Sequence, residues 1–366
     1  MEPSVRNVEL LRVRVPLVAP FRTARGVTRT KEALLVRVDV DGMIGWGECV
    51  AERAPTYAAD TIDGARLALR DHLLPRVFAG ASCDDVRGHA AARAALQCAL
   101  LDARLRAEGV SLSAHLGGTR AFIDAGVAIG MHDDLDELRS VVRRCVEQGY
   151  RRIKCKIEPG NDVRVVRAAR AAAGDDIALA ADANGSYSLD GAGALLAALD
   201  DLGVQCVEQP LPPDALVDHA TLARERPGTS ICLDESITSA TVARDAIALH
   251  ACDAISVKAG RVGGLAEARD VHDVCYAAGI AVLAGGMLET GIGRAALLAL
   301  ASLPGFTWPG DCSASDRYFG PDGDLTEPFV LDGGRLRVPD APGLGVDPRP
   351  ESLARATIAR ERITAS

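Results

Sequence analysis

No C-x-x-C pair occurs among the ten cysteines of this 366-residue chain, and no histidine stands at metal-ligand spacing from one, which excludes a zinc module and a thiol redox motif. The cysteines read as reduced core thiols. Met1 to Leu10 lacks a basic stretch leading into an apolar segment, and no apolar run approaches the roughly 20 residues that cross a bilayer. The expectation is therefore a cytoplasmic protein without a membrane partner. Basic clusters are missing too: 41 Lys and Arg are interspersed with 50 Asp and Glu, for a formal charge of -9. Phosphate binding relies on clustered bases, so a nucleic-acid partner is excluded. Neither G-x-G-x-x-G after a strand nor G-x-x-x-x-G-K-[ST] is present, which removes support for nucleotide cofactors. None of the seven histidines ends an apolar strand, and His272 falls within a helix, so histidine catalysis is not expected.

What is present begins with an ordinary globular composition, 48% hydrophobic and 25% charged, in a chain long enough for one barrel and a smaller domain. Lys156, Asp182, Glu208, Asp234 and Lys258 end five apolar runs at intervals of 26, 26, 26 and 24 positions. Each interval holds one strand and one helix. Because a parallel strand needs a crossover of about a dozen or more residues, the series predicts an α/β fold, a strand-helix barrel of (β/α)7β type. Its strands are expected at Gly126 to Ile129, Arg152 to Ile157, Ile177 to Asp182, Val204 to Glu208, Ser230 to Asp234, Ala254 to Lys258 and Ala281 to Ala284. Phe306 to Trp308 is a weaker eighth.

Residues 1–120 read as an α+β unit. Val5 to Val15, Leu34 to Val40 and Ile44 to Glu48 form a small antiparallel sheet, with Asp41-Gly42 as a turn, and Pro16 to Lys31 between the first two strands is a long loop that resembles a lid. Asp60 to Val77, Asp84 to Glu108 and Ser111 to Leu116 carry helical signals, with stops at Gly109 and Gly117-Gly118. The barrel then occupies 121–310, and the Gly-, Pro- and Asp-rich segment 311–366 packs back on the first unit.

In such a barrel the carboxyl ends of the strands form the catalytic face. Asp182, Glu208 and Asp234 close three consecutive strands there, and three bare carboxylates repel one another unless a cation joins them. An all-oxygen set favours Mg²⁺, with Mn²⁺ as substitute, over zinc. Acidic caps in strand-to-helix loops are the alternative for any one of them, less so for three in register. Lys154 and Lys156 lie two apart on a strand and so share a side, where each disfavours the other's protonation and lowers its pKa toward that of a usable base. In isolation, K-x-K more often marks two surface lysines. Lys258 stands across the barrel from Lys156, which suits two bases working on one carbon acid. Arg261 either depresses Lys258 further or pairs with a rim acid. Asn184 lies two beyond Asp182 and orients a ligand if the extended geometry continues, while Glu235 points away from the metal as a partner of a lysine. The loop Gly285, Gly286, Met287 offers backbone amides to a substrate carboxylate, or simply needs glycine for a tight turn. Cys206 and Cys232 lie one layer deeper and pack.

These residues resemble the enolase superfamily, in the subgroup typified by muconate-lactonizing enzyme: Lys154-Cys155-Lys156, Asp182-Ala183-Asn184, Glu208-Gln209-Pro210, Asp234-Glu235-Ser236 and Lys258 fall on its K-x-K, D-x-N, E-Q-P, D-E-S and second-lysine positions. Sites of that superfamily are a general example of a Lys or His base working with Mg²⁺. Gly45-Trp46-Gly47-Glu48, Ile153 to Gly160, Gly260 to Gly264, Gly285 to Arg294 and Asp311 to Phe319 are similar to the branch of o-succinylbenzoate synthases and N-succinylamino acid racemases. The resemblance implies Asp182, Glu208 and Asp234 as metal ligands, Lys156 and Lys258 as the acid/base pair, and Lys154, Asn184, Glu235 and Arg261 in support. It also implies that the α+β unit 1–120 is a capping domain and that Pro16 to Lys31 is its substrate-specificity loop, with Phe21 and Arg22 beside Gly285, Gly286 and Met287 at the substrate. The expected substrate is a small-molecule carboxylate and the expected assembly a homo-oligomer. Proton removal α to the carboxylate followed by dehydration, an o-succinylbenzoate synthase reaction serving menaquinone synthesis, is preferred. N-succinylamino acid racemisation stands second, alone or beside it. Dipeptide epimerase, sugar-acid dehydratase and a non-catalytic metal-binding barrel come after.

Overall fold

The computed structural model describes residues 5–83, 85–225, 228–320 and 323–365. The cap begins with two long strands, β1 (Val5–Thr23) and β2 (Gly26–Val40), which pair antiparallel and turn at residues 24–25. β3 (Met43–Cys49) follows a turn in which Asp41 and Gly42 both take positive φ (53° and 89°), the pattern of a tight hairpin turn. Pro16 to Lys31 is thus not a free loop. Pairing runs to Pro16↔Thr30 and resumes at Phe21↔Thr28, and the residues between bulge where Pro16 and Pro20 have no N–H for the ladder. The segment is the far half of a hairpin that reaches over the barrel.

An Ala-rich helix, Ala90–Glu108, lies against β3 and ends at Gly109 in a left-handed cap. It starts later than the expected Asp84, a residue outside those described, because residues 85–89 are not helical and His89 stands left-handed at φ 48° just before Ala90. Its approach is unusually close because β3 offers no side chain at two positions: a Cβ on Gly45 would meet the Ala99 carbonyl oxygen at 2.0 Å, and one on Gly47 the Ala95 carbonyl oxygen at 1.9 Å. The helix answers with small residues, since Ala91, Ala92, Ala95, Ala99 and Ala103 are all buried.

After the short β4 (Phe122–Asp124) come seven parallel strands in sequential order: β5 (Gly126–Ile129), β6 (Arg152–Lys156), β7 (Ala178–Asp182), β8 (Cys206–Glu208), β9 (Ser230–Leu233), β10 (Ala254–Val257) and β11 (Ala281–Ala284). Alternate residues point to opposite sides of this curled sheet. Ile153, Cys155, Leu179, Val207 and Ile231 join the main core with the helices, whereas Ala180, Cys206, Cys232, Ala254 and Leu283 form a separate interior cluster. The register lines up Lys156, Asp182 and Glu208, and pairs Glu208 with Cys232, so Asp234 lies one pleat further along the same side.

The expected eighth strand, Phe306 to Trp308, is not a strand. Instead the chain closes the ring slightly later, with Asp311 N donating to Ala284 O at 2.8 Å on β11 and Gly310 forming an isolated bridge to Ala125 beside β5. This swings Asp311 into the interior. β12 (Arg335–Arg337) then pairs with β4, and β13 (Thr357–Thr364) adds to the outer edge of β1, so the end of the chain completes the cap sheet in the order β13-β1-β2-β3. No described helix is long and apolar enough to cross a membrane.

Gly47→Ala should lower stability by about 1–3 kcal/mol, the usual effect of overpacking, because backbone and not a flexible side chain blocks the added methyl. Chemical denaturation checks this; an unchanged midpoint would mean that the helix does not rest on β3 as described.

Candidate active site

Five elements deliver charge to one mouth. β6 contributes Lys154 and Lys156, β7 and β8 end on Asp182 and Glu208, Asp234 follows β9, and Lys258 follows β10; all are buried. Lys156 Nζ lies 2.6 Å from Asp182 Oδ2 and 2.8 Å from Asn184 Oδ1. Lys258 Nζ lies 2.7 Å from Asp234 Oδ2 and 3.0 Å from the Tyr57 hydroxyl. Lys154 stands between them on the floor, donating to Glu208 Oε1 (2.7 Å) and Asp311 Oδ2 (2.5 Å), with Asp182 Oδ2 at 3.1 Å. Phe21, Leu288, Glu289, Arg294 and Tyr318 enclose a cavity into which Lys154, Lys156 and Lys258 all project.

The charges set one another. Burial works against ionisation of Asp182 and Asp234, but Lys156 and Lys154 outweigh it at the first and Lys258 and Arg261 at the second, so both carboxyls are held well below the usual range. Burial dominates at Glu208, where Asp182, Asp234 and Asp311 add repulsion that Lys154 only partly offsets, and its carboxyl is pushed up to about 8. The mutual depression expected of neighbouring lysines does not operate at Lys154. Burial favours its neutral amine, yet three carboxylates prevail and its pKa is raised well above normal. Lys258 is raised as well: burial and Arg261 disfavour its ammonium, yet the attraction of Asp234 is stronger.

Arg261 takes both of its expected roles: it works against the Lys258 ammonium, though Asp234 outweighs it there, and it pairs with a rim acid. It pairs with Asp234, donates to the Tyr57 hydroxyl at 2.9 Å, and is fixed by the carbonyls of Ile237 (2.8 Å) and Ser256 (2.6 Å). Asn184 does not continue the extended strand: it turns left-handed at φ 46°, and still reaches Lys156. Glu235 meets no lysine; Asn184 Nδ2 (2.9 Å) and Arg25 Nη2 (2.8 Å) donate to its Oε1. Gln209, also at positive φ, holds neighbouring strand ends together by accepting from the backbone N–H groups of Asp234 and Ser236.

Other expected substrate residues divide. Phe21 and Gly286 line the cavity. Arg22 does not: it forms an outward ion pair with Asp133 at 2.7 Å, where water solvates both partners. Met287 uses its carbonyl to hold Lys31 at 2.9 Å. Gly285 makes room for the stem of Lys258, since a Cβ there would lie 2.5 Å from Lys258 Cε. Three site residues escaped the sequence reading, Tyr57, Asp311 and Arg25, because each arrives from outside the strand series. A compositional signal was available for the amines: the chain has only four lysines, Lys31, Lys154, Lys156 and Lys258, among its 41 basic residues, and all four are buried. Arginine supplies most of the surface charge, with Arg152, Arg261 and Arg294 also buried, whereas lysine, the residue that can release a proton, is found only in the interior.

A divalent cation can be tested against this donor set. Among the described residues no three His, Cys, Asp or Glu side chains already converge on one point, because ammonium and guanidinium groups hold the acids. The expected three-acid grip is therefore not the arrangement seen. The donors nonetheless fit a hard cation: they are all oxygen, on adjacent strands, mutually repelling at Glu208, and Glu208 Oε2 is buried without a hydrogen-bond partner.

A parallel barrel with a separate α+β cap, and with paired amines and acids at its carboxyl mouth, defines a capped barrel enzyme. Residues 137–352 match the family description "Enolase C-terminal domain-like", and residues 5–117 match "Mandelate racemase / muconate lactonizing enzyme, N-terminal domain". The chain belongs to the enolase superfamily. It is 50% identical over 366 residues to an N-succinylamino acid racemase of Amycolatopsis sp, covering 98% of each chain. It is 43% identical to an o-succinylbenzoate synthase of Geobacillus kaustophilus, over 98% of this chain and 97% of that one. A crystal structure of an enolase-superfamily protein from Listeria innocua superposes with a TM-score of 0.93 at 34% identity, covering 100% of both chains.

Glu208 also makes stability depend on pH. Its raised carboxyl binds a proton in the folded chain that the unfolded chain has already released, so this contribution is present below about 4.5 and is lost as pH rises through about 8. In chelator, the melting temperature should fall across that window, and Glu208→Gln should flatten the fall; parallel curves for the two proteins would contradict the assignment.

Proposed function

We propose that the chain removes a proton α to a substrate carboxylate, acting as an o-succinylbenzoate synthase. The observation that carries this is the convergence of Lys156 and Lys258 on one cavity, each braced by a neutral side chain, Asn184 for the first and Tyr57 for the second. Lys156 as the free amine takes the proton at Nζ, and Asn184 keeps that nitrogen aimed into the cavity. Lys258, as the ammonium its surroundings favour, faces the charge that builds on the substrate, and it can assist departure of hydroxide by proton donation. Phe21, Leu288 and Tyr318 enclose the carbon skeleton and limit water. A positioned base contributes roughly 10²- to 10⁴-fold, about 3 to 5 kcal/mol, whereas enzymes lower barriers by about 8 to 23 kcal/mol, so electrostatic stabilisation must supply much of the remainder. Asp182, Glu208 and Asp234 are the residues that would hold Mg²⁺, or Mn²⁺ in its place, and the ion would supply positive charge toward the substrate carboxylate.

Racemisation of N-succinylamino acids is supported by a specific feature: a synthase needs one base, while this cavity holds two candidate amines, and a relative at 50% identity bears the racemase name. In this reading Lys156 and Lys258 serve opposite faces of the α-carbon, one accepting a proton as the other returns one. Both activities can share these residues, so they are separated by measurement. The protein with Mg²⁺ is incubated in D₂O with N-succinyl-phenylalanine and, separately, with the cyclohexadiene carboxylate precursor of o-succinylbenzoate. Aromatisation of the second is expected; deuterium uptake by the first without it would sink the synthase assignment.

Lys156→Ala and Lys258→Ala should each lower kcat by about 10²-fold or more. Racemisation at the full rate by either variant would refute its role as a base. Asp234→Asn should weaken Mg²⁺ binding by at least about tenfold, as titration calorimetry can read, since even outer-shell substitutions have effects of that size. An unchanged affinity would remove Asp234 from the ligand set.

A further inference from the structure

Arg25 sits at the tip of the cap hairpin and yet ends in the barrel mouth. Its Nη2 donates to Glu235 Oε1 at 2.8 Å and to the Asn184 carbonyl at 3.0 Å, its Nη1 donates to the Thr56 carbonyl, and its guanidinium lies 5.6 Å from the centre of the Tyr57 ring. Two of these neighbours lead to lysines. Glu235 accepts from Asn184 Nδ2, and Asn184 Oδ1 accepts from Lys156 Nζ at 2.8 Å. Tyr57 takes Lys258 Nζ at its hydroxyl, 3.0 Å away, and under its ring face at 4.8 Å. One side chain from the cap thus touches the holders of both amines. Its neighbours on the hairpin do otherwise: Arg22 turns outward to Asp133, and Phe21 packs edge-on against Tyr318.

We propose that Arg25 is a positioning residue for the reaction, aligning Lys156 through Glu235 and Asn184 and Lys258 through Tyr57, so that both bases are set only when the hairpin is seated on the barrel. This rests on the reading of Lys156 and Lys258 as the acid/base pair. The charge-assisted contact to a nearly buried carboxylate is strong enough to matter, since hydrogen bonds to charged groups exceed neutral ones and Glu235 has little water to turn to. The same linkage joins substrate entry to catalysis: lifting the hairpin tip withdraws Arg25 from Glu235, Asn184 and Thr56 together, and slackens both lysines at once.

The scarcity of lysine makes this directly measurable. Wild type, Arg25→Ala, Arg25→Gln, Asn184→Ala and Tyr57→Phe are exposed briefly to acetic anhydride, and acetylation of Lys31, Lys154, Lys156 and Lys258 is followed separately by peptide mass spectrometry. Both Arg25 variants should raise acetylation of Lys156 and Lys258 by about tenfold, the scale of one lost charge-assisted hydrogen bond, with Lys31 and Lys154 unchanged. Asn184→Ala should raise Lys156 alone and Tyr57→Phe should raise Lys258 alone. Equal rates in wild type and the Arg25 variants overturn the proposal, as does a uniform rise at all four lysines, which would show general loosening. Labelling requires no turnover, so it separates failure of this proposal from failure of the functional reading, which inert wild-type protein would show. In active protein, Arg25→Ala should lower kcat as well as raise KM; a change in KM alone would assign Arg25 to substrate entry only and overturn alignment.

Discussion

Carboxylates, ammonium groups and guanidiniums share the buried mouth of this barrel, and their mutual neutralisation is the constraint on which the rest depends. An isolated charge in such a place has a large desolvation penalty, and a paired one is tolerated only with good geometry and further hydrogen bonds. Lys154 illustrates the solution: standing on the floor, it serves Glu208, Asp311 and Asp182 simultaneously, which makes it a structural cation as much as a functional one. The balance is incomplete at Glu208, whose second oxygen finds no hydrogen-bond partner. The acids at this mouth thus exceed what the neighbouring cations neutralise at Glu208.

Backbone architecture decides which charges meet. The strand register puts Lys156, Asp182 and Glu208 in one row and Asp234 a pleat beyond, so their side chains share a side without any adjustment of the strands. Loops then refine the positions. Asn184 and Gln209 take left-handed conformations directly after their strands, the first to reach Lys156 and the second to staple two strand ends. Gly285 is small for the sake of Lys258, whose stem runs where a Cβ would stand. The cap closes the arrangement through Tyr57 and Arg25, which reach Asp234, Lys258 and Glu235.

Most of the barrel was legible because its repeat is long and regular: strand and helix alternate, and the acid or amine at each strand end recurs at nearly constant spacing. The cap hairpin was less so. Proline and glycine in Pro16 to Lys31 read as a loop, but pairing with β2 resumes past the bulge and carries both strands to the tip. Arg22 and Arg25 are three residues apart with the same chemistry, and nothing local distinguishes the one that meets solvent-exposed Asp133 from the one that enters the site. Asp311 was hidden for a related reason, since it belongs to a closing segment whose hydrogen bonds to β11 never develop into a strand.

The sequence by itself determined the order of elements, the side of each strand on which charge falls, and the identity of the paired lysines and acids, because these follow from local periodicity that each segment carries alone. Only the tertiary structure decided how those charges are shared. Raised lysines instead of depressed ones, Arg261 on Asp234, Glu235 on Arg25 and Asn184, and the arrival of Tyr57 and Asp311 all depend on distances between segments far apart in the chain. Electrostatic interaction falls with distance and rises with burial, and neither quantity exists until the barrel has closed and the cap has settled on it.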